Sequence, residues 1–494
     1  MGSVNKVASG AIWSVLYNLL NAVYGFIAIP LLIKYFGKAE YGLIGLAQSV
    51  NVYIHLMDMG MNSTNIRFFS VWLSEKNHPK VGRLFQTSLT FYSVVGLLNA
   101  LILIIVSFFT SSIFNVTPEQ DVILKRLLYI LAVAAVLNWY SSCFDQIIRA
   151  TENVAWIQKR SFIPKLLQVL VLVLTITLKL PIGLYFFLTT FSFFTILPLS
   201  VSKIRKETPF IRFLPKFHWP TMKEVLPYTL NIFSFNIFKF SFVYLCPIFL
   251  GIRATMESVA DYKILYTVAS VITMITGVFM SSLLPTTSKV VAQHNRDAYY
   301  KVAYRGTKYL SMVTCFCTFG LIAVGKDLLT VYVGESYTYL APWLYVLVAL
   351  SLSSHIQCVS SLILSGTNIK ALSRMVIFSS IAALAVAWFL IPYYHIGGVI
   401  LASLVYEAMQ MTFYYVYYMP KKMEISSRKM LKSFLPQLFI GLAGCAVTFV
   451  LPDVENHWIN IFLCGGIFMV LYGAGTLLNM NAEDKQFFRN LIKH

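Results

Sequence analysis

Residues 11–32 read AIWSVLYNLLNAVYGFIAIPLL, with no charged side chain. A run of roughly 20 apolar residues crosses the hydrocarbon core of a bilayer as an α-helix. In that core only helices and closed barrels satisfy their own backbone hydrogen bonds. The stretch lacks the small-residue cleavage site of a signal peptide, so it reads as a retained helix. Stretches of the same kind recur as far as Leu478. The expected spans are 9–33, 39–62, 84–110, 122–149, 162–180, 182–202, 225–250, 259–284, 304–325, 338–365, 372–391, 395–418, 433–451 and 457–479. The chain therefore reads as an all-α integral membrane protein of about 14 transmembrane helices. Two spans adjoin at Lys179-Leu180-Pro181, where a turn is required.

Composition agrees. Of 494 residues, 58% are hydrophobic and 12% charged, and the mean hydropathy of +0.71 is too high for a soluble globular protein. The formal charge of +19 does not indicate nucleic acid, because the cations punctuate helix ends rather than forming a basic domain. The seven cysteines lie in apolar stretches, without disulfide or zinc spacing. The sequence contains no phosphate loop, His-rich metal motif or nucleophile elbow. The reading is a non-enzyme without a cofactor, apart from a coupling H+ or Na+. A membrane glycosyltransferase or polymerase would need catalytic acids in a sizeable loop, and the longest loops here are short and basic.

The cations also orient the chain. One set of loops carries Arg67, Lys76, Lys80 and Arg83, then Lys159, Arg160 and Lys165, then Lys203 to Lys223. It continues with Lys289 to Lys308, Lys370 and Arg374, and Lys421 to Lys432. The alternate loops hold few. Both termini are expected in the cytoplasm of a multi-pass bacterial inner-membrane protein. Ile66 to Leu84, with Phe68, Phe69 and Trp72 set against Lys76 and Lys80, reads as a helix lying on the cytoplasmic surface.

Ala39-Glu40-Tyr41-Gly42-Leu43 is echoed by Ala260-Asp261-Tyr262-Lys263-Ile264. Arg67 and Arg83 have the same separation as Lys289 and Arg305. Two six-helix halves follow, 1–203 and 204–420, both starting in the cytoplasm and hence parallel repeats. Residues 421–494 add two further helices and a tail. Duplicated membrane halves commonly hold a substrate at their interface.

The pattern Tyr35-Phe36-Gly37, Glu40-Tyr41-Gly42-Leu43 and Asp58-Met59-Gly60-Met61, with Val259-Ala260-Asp261-Tyr262 and Ser281 to Pro285 in the second half, resembles polysaccharide-biosynthesis flippases of the Wzx type. These belong to the multidrug/oligosaccharidyl-lipid/polysaccharide (MOP) exporter superfamily. The resemblance implies a V-shaped pair of lobes around a central cavity. It implies transport of an undecaprenyl-diphosphate-linked oligosaccharide, a repeat unit of O-antigen, capsule or exopolysaccharide, to the outer leaflet by alternating access. Implied partners are that lipid-linked oligosaccharide, membrane lipids, a polysaccharide polymerase and glycosyltransferases. A cation-coupled multidrug exporter and a peptidoglycan-precursor flippase share the architecture and stand as alternatives.

Charges near the bilayer centre are costly, about 2.5–3.5 kcal/mol on insertion scales, and so point to function. Lys239 is the only charge between Leu226 and Leu250, and Asn231 and Asn236 share its side of the helix. This stripe suits an anionic headgroup; the alternative is a lysine paired with a structural carboxylate. Glu407 is either a proton or sodium site or the partner of Lys239. Asp58, and Asp145 with Arg149 one turn away, stand as a cytoplasmic gate or as charges that set orientation, and Arg149 is also a candidate for substrate contact. Asp261 and Lys263 are candidates for gating and substrate contact, against a structural role at a helix start. His55, His355 and His395 read as ordinary polar positions.

Overall fold

The computed structural model describes residues 3–485 except 59, 293–295, 366–369 and 453; the side chains at 3–8, 11, 231, 232, 234–240, 278–292, 364, 365 and 370 are likewise outside the described residues. Among the described residues there is no strand. The helices longer than two turns begin with α1 (Ser3–Phe36), α2 (Lys38–Ile54), α3 (Met61–Ser74), α4 (His78–Phe108), α5 (Pro118–Ala150) and α6 (Val154–Leu178). Next come α7 (Ile182–Ser192), α8 (Leu197–Glu207), α9 (Trp219–Arg253), α10 (Met256–Ala292) and α11 (Arg296–Val333). The last are α12 (Ala341–Ala349), α13 (Gln357–Ser365), α14 (Lys370–Tyr394), α15 (Ile396–Thr412), α16 (Ser427–Val450) and α17 (His457–Leu478).

Local chemistry sets the ends. Thr117 and Gln120 form a capping box at α5, with Pro118 opening the helix. Asn77 caps α4 and Asn456 caps α17. Lys179 takes a left-handed conformation (φ 53°) and Pro181 precedes α7, which makes the turn expected between the fifth and sixth spans.

Among the described residues, twelve helical stretches are long and apolar enough to cross a bilayer. The two remaining expected spans fall on α2 and α9. The expected span 39–62 is interrupted: α2 stops at Ile54, a 3₁₀ turn covers His55–Asp58, and Gly60 turns the chain with φ 81°. α9 is one helix of 35 residues, Trp219–Arg253, and the side chains of 231, 232 and 234–240 in its middle lie outside the described residues. Along α4, Leu97 and Leu101 are exposed while Asn99 and Leu103 are fully buried. Apolar side chains facing outward and an amide facing inward suit a hydrocarbon solvent.

The chain forms two compact units, residues 1–263 with 387–398, and 264–386 with 399–494. The first is built on an aromatic core of Phe69, Trp72, Phe85, Trp139 and Phe144. The expected surface helix is α3, and it does not lie free. Phe69 and Trp72 are buried in this core, because the apolar face of α3 meets α4 and α5 rather than lipid headgroups. In the second unit α16 and α17 pack on α11 through Phe319, Phe434, Phe468 and Tyr472.

Candidate transport site

The turn after α2 carries Asp58. Its Oδ2 accepts from the Asn62 backbone N–H at 3.0 Å and so caps α3. Its Oδ1 accepts from the Tyr92 hydroxyl at 2.7 Å. The Tyr92 oxygen accepts in turn from Gln146 Nε2 at 2.7 Å, and Gln146 Oε1 from Asn65 Nδ2 at 2.7 Å. Ser88 donates to Asn65 Oδ1 at 3.0 Å. Tyr92, Asn65, Ser88 and Gln146 are buried, and the Tyr92 ring stacks on Trp139 at 5.3 Å. One chain of donors and acceptors thus ties the turn, α3, α4 and α5 together. Buried polar networks of this kind are stabilising only when each member is satisfied.

The two repeated segments touch. Lys38 Nζ lies 2.7 Å from Asp261 Oδ1. The Lys263 stem runs over Gly45, whose added Cβ would stand 3.1 Å from Lys263 Cγ. Gly42 meets α10 backbone directly: a Cβ there would lie 2.0 Å from the Met256 carbonyl oxygen. Only glycine allows this approach.

Asp145 pairs with Arg160 rather than with Arg149 one turn away, and Arg160 also reaches the Ser200 hydroxyl. Arg149 makes no ion pair among the described residues. Lys165 is buried in α6, where Nζ meets Gln168 Oε1 at 2.8 Å and sits 4.3 Å from the centre of the Tyr24 ring. Neither neighbour carries a negative charge. Asp121 is held by Lys125 and Thr110. In the first unit, then, Asp121, Asp145 and Asp261 are paired with cations and Asp58 is held by neutral donors, while Lys165 has no carboxylate partner among the described residues and Arg149 faces Asp145 only through space.

In the second unit Glu407 has the Ser353 hydroxyl as its hydrogen-bonding neighbour. Ser353 lies in a 3₁₀ stretch, Leu350–Ile356, and α15 runs into a π-helical stretch, Phe413–Tyr418. The two irregular stretches meet where His355 Nε2 and the Tyr415 hydroxyl are 2.6 Å apart. Such irregular turns are frequent at functional positions. His355 also stacks on Phe434 at 4.0 Å and is buried. The side chains of Asn231, Asn236 and Lys239 lie outside the described residues.

A family profile described as polysaccharide biosynthesis protein matches residues 7–291. The chain belongs to this family. No curated protein matches the sequence. Among solved structures, the fold is similar to that of lipid II flippase MurJ in an inward-closed conformation. The TM-score is 0.74 at 15% identity, covering 97% of this chain and 99% of that one. It is also similar to the MATE multidrug transporter DinF-BH, with TM-score 0.56, 16% identity and coverage of 84% and 96%. A MOP superfamily transporter from Pyrococcus furiosus aligns with TM-score 0.55, 13% identity and coverage of 91% and 98%. The chain thus has the fold of MOP-superfamily flippases and transporters.

In this family member the Asp58-Met59-Gly60-Met61 motif has a local explanation: Gly60 makes the left-handed turn and Asp58 caps the helix that follows. Sequence reasoning misses Lys165 because it lies in the first turn of its expected span, among the loop cations. The signal is present in the apolar run Leu166 to Leu174, broken only by Gln168. Tyr92, Gln146 and Asn65 carry no signal, since uncharged polar residues are common in spans.

Proposed function

We propose that this protein is a flippase that carries an undecaprenyl-diphosphate-linked oligosaccharide from the cytoplasmic to the outer leaflet by alternating access. The observation that carries the reading is the state of the charges inside the first unit. Of its four named acids, Asp121, Asp145 and Asp261 are paired with cations and Asp58 is held by neutral donors, while Lys165 is a buried cation with no carboxylate partner among the described residues. A carrier of drug cations would need the opposite surplus. Membership of the polysaccharide biosynthesis family supports the same reading.

A lipid diphosphate is doubly anionic, and moving it through hydrocarbon unaided would cost on the order of tens of kcal/mol. Cations in a hydrated path offset that cost while the lipid tail stays in the bilayer. With the cytoplasm negative, two anionic charges moving outward gain about 4–5 kcal/mol per 100 mV. Lys239, with Asn231 and Asn236, is the proposed headgroup site. Glu407 beside Ser353 is the proposed site for a coupling H+ or Na+. No step requires bond-making by the protein, so the role is transport rather than catalysis.

The test is glycan assembly in cells carrying Lys239→Ala with Arg149→Gln. Loss of surface glycan with normal protein levels, and lipid-linked units accumulating inside, is the expected result. Unchanged assembly, or resistance to cationic drugs conferred by the wild-type protein, would overturn the assignment.

A further inference from the structure

Between α5 and α8 lies a groove of about 700 Å³, within the range of small-molecule sites. Its walls are apolar, with Leu137 and Phe144 on one side and Pro198 and Val201 on the other. Its mouth carries Arg205 and Lys206. The neighbouring acid is already committed. Glu207 pairs with Lys203 at 2.7 Å and accepts from Asn153 at 2.8 Å and Thr151 at 3.1 Å. Arg205 and Lys206 have no carboxylate partner among the described residues, and Arg205 is held over the Phe213 ring at 5.7 Å. Leu137 and Leu199 are exposed beside the groove, so hydrocarbon can enter from the side.

We infer that this groove binds an anionic glycerophospholipid, with its phosphate on Arg205 and Lys206 and the upper part of one acyl chain along Val201, Pro198 and Leu137. The stretch from Leu197 to Lys206 rises about 13 Å along its axis, enough for a headgroup and the first part of a chain. Two cations above an apolar trough complement that amphiphile. Apart from Tyr140 and Ser202 the walls are apolar, which suits an acyl chain better than a sugar. The inference does not depend on the transport reading.

The test is native mass spectrometry of the full chain in detergent, titrated with phosphatidylglycerol or phosphatidylcholine. The wild type should retain one phosphatidylglycerol in preference to phosphatidylcholine. Arg205→Gln with Lys206→Gln should weaken phosphatidylglycerol about tenfold or more. Val201→Trp, which fills the trough and keeps both cations, should weaken it too. Arg212→Gln with Lys216→Gln, two exposed cations of the next loop, should leave it unchanged. Three outcomes would overturn the inference: no preference between the lipids, an equal loss in the loop control, or no loss in either groove variant. Displacement of phosphatidylglycerol by undecaprenyl diphosphate, with the latter abolished by the groove variants, would also overturn it and make the groove a substrate site.

Discussion

Tyr92 joins two groups that cannot both be satisfied without its hydroxyl. It donates to Asp58 and accepts from Gln146, with Tyr92 and Gln146 buried and Asp58 at the edge of the network. Tyr92→Phe keeps the ring against Trp139 but leaves one Asp58 carboxylate oxygen and one N–H of the Gln146 amide without their partner. The expected loss is about 1–3 kcal/mol, read as a lower unfolding temperature in detergent; an unchanged temperature would contradict the network. Lys165 should behave in the opposite sense. A buried cation without a carboxylate is costly to fold, so Lys165→Met should leave stability unchanged or raised while transport falls at least several-fold. Lys165→Arg should restore part of the transport. If Lys165→Met lowers stability and transport together, the residue is structural.

At the element scale, α2 and α10 meet through Gly42. Gly42→Ala places a methyl group on the Met256 carbonyl. Overpacking of this kind costs about 1–3 kcal/mol, and the variant should unfold at lower temperature while exposed Gly466→Ala does not. The segment after α17 is pinned to α11: Lys308 Nζ meets Asp484 Oδ2 at 2.5 Å and the Tyr309 hydroxyl donates to Oδ1 at 3.0 Å. Burial raises the Asp484 pKa, but the bond from Lys308 and those from the Asn481 N–H and Tyr309 outweigh it, and the carboxyl stays below its ordinary 3.8. The folded state then binds fewer protons than the unfolded one, so the contact stabilises above pH ~4 and is lost as pH falls through the folded pKa. Asp484→Asn should therefore lower stability near neutral pH, and its deficit should shrink as pH falls below ~4 and through the folded pKa. Equal unfolding temperatures for the two at neutral pH would contradict this.

Elements differ in how legible they are. The two repeated segments are visible as sequence, and the structure brings them into contact. The end of α2 is not visible, because hydropathy averages over Asp58 and Gly60 while a single left-handed residue stops the helix. The burial of α3 is equally hidden. An apolar face of Phe69 and Trp72 has the same period whether it meets lipid headgroups or another helix.

Over the whole molecule, the membrane-spanning helices are legible because every span must hide its own backbone. The charge balance is legible only in part. Counting cations by loop gives an expected orientation but misplaces Lys165, and it cannot pair Asp145 with Arg160, because pairing depends on which helices become neighbours. The substrate class rests on the surplus of positive charge in the first unit. The most direct measurement uses vesicles containing the purified protein and a short fluorescent undecaprenyl-diphosphate-linked sugar, scored by its exposure to an impermeant lectin under an imposed potential. We predict transfer toward the positive side, faster with voltage and lost in Lys165→Met. Transfer of a lipophilic cation with none of the lipid-linked sugar would contradict the account.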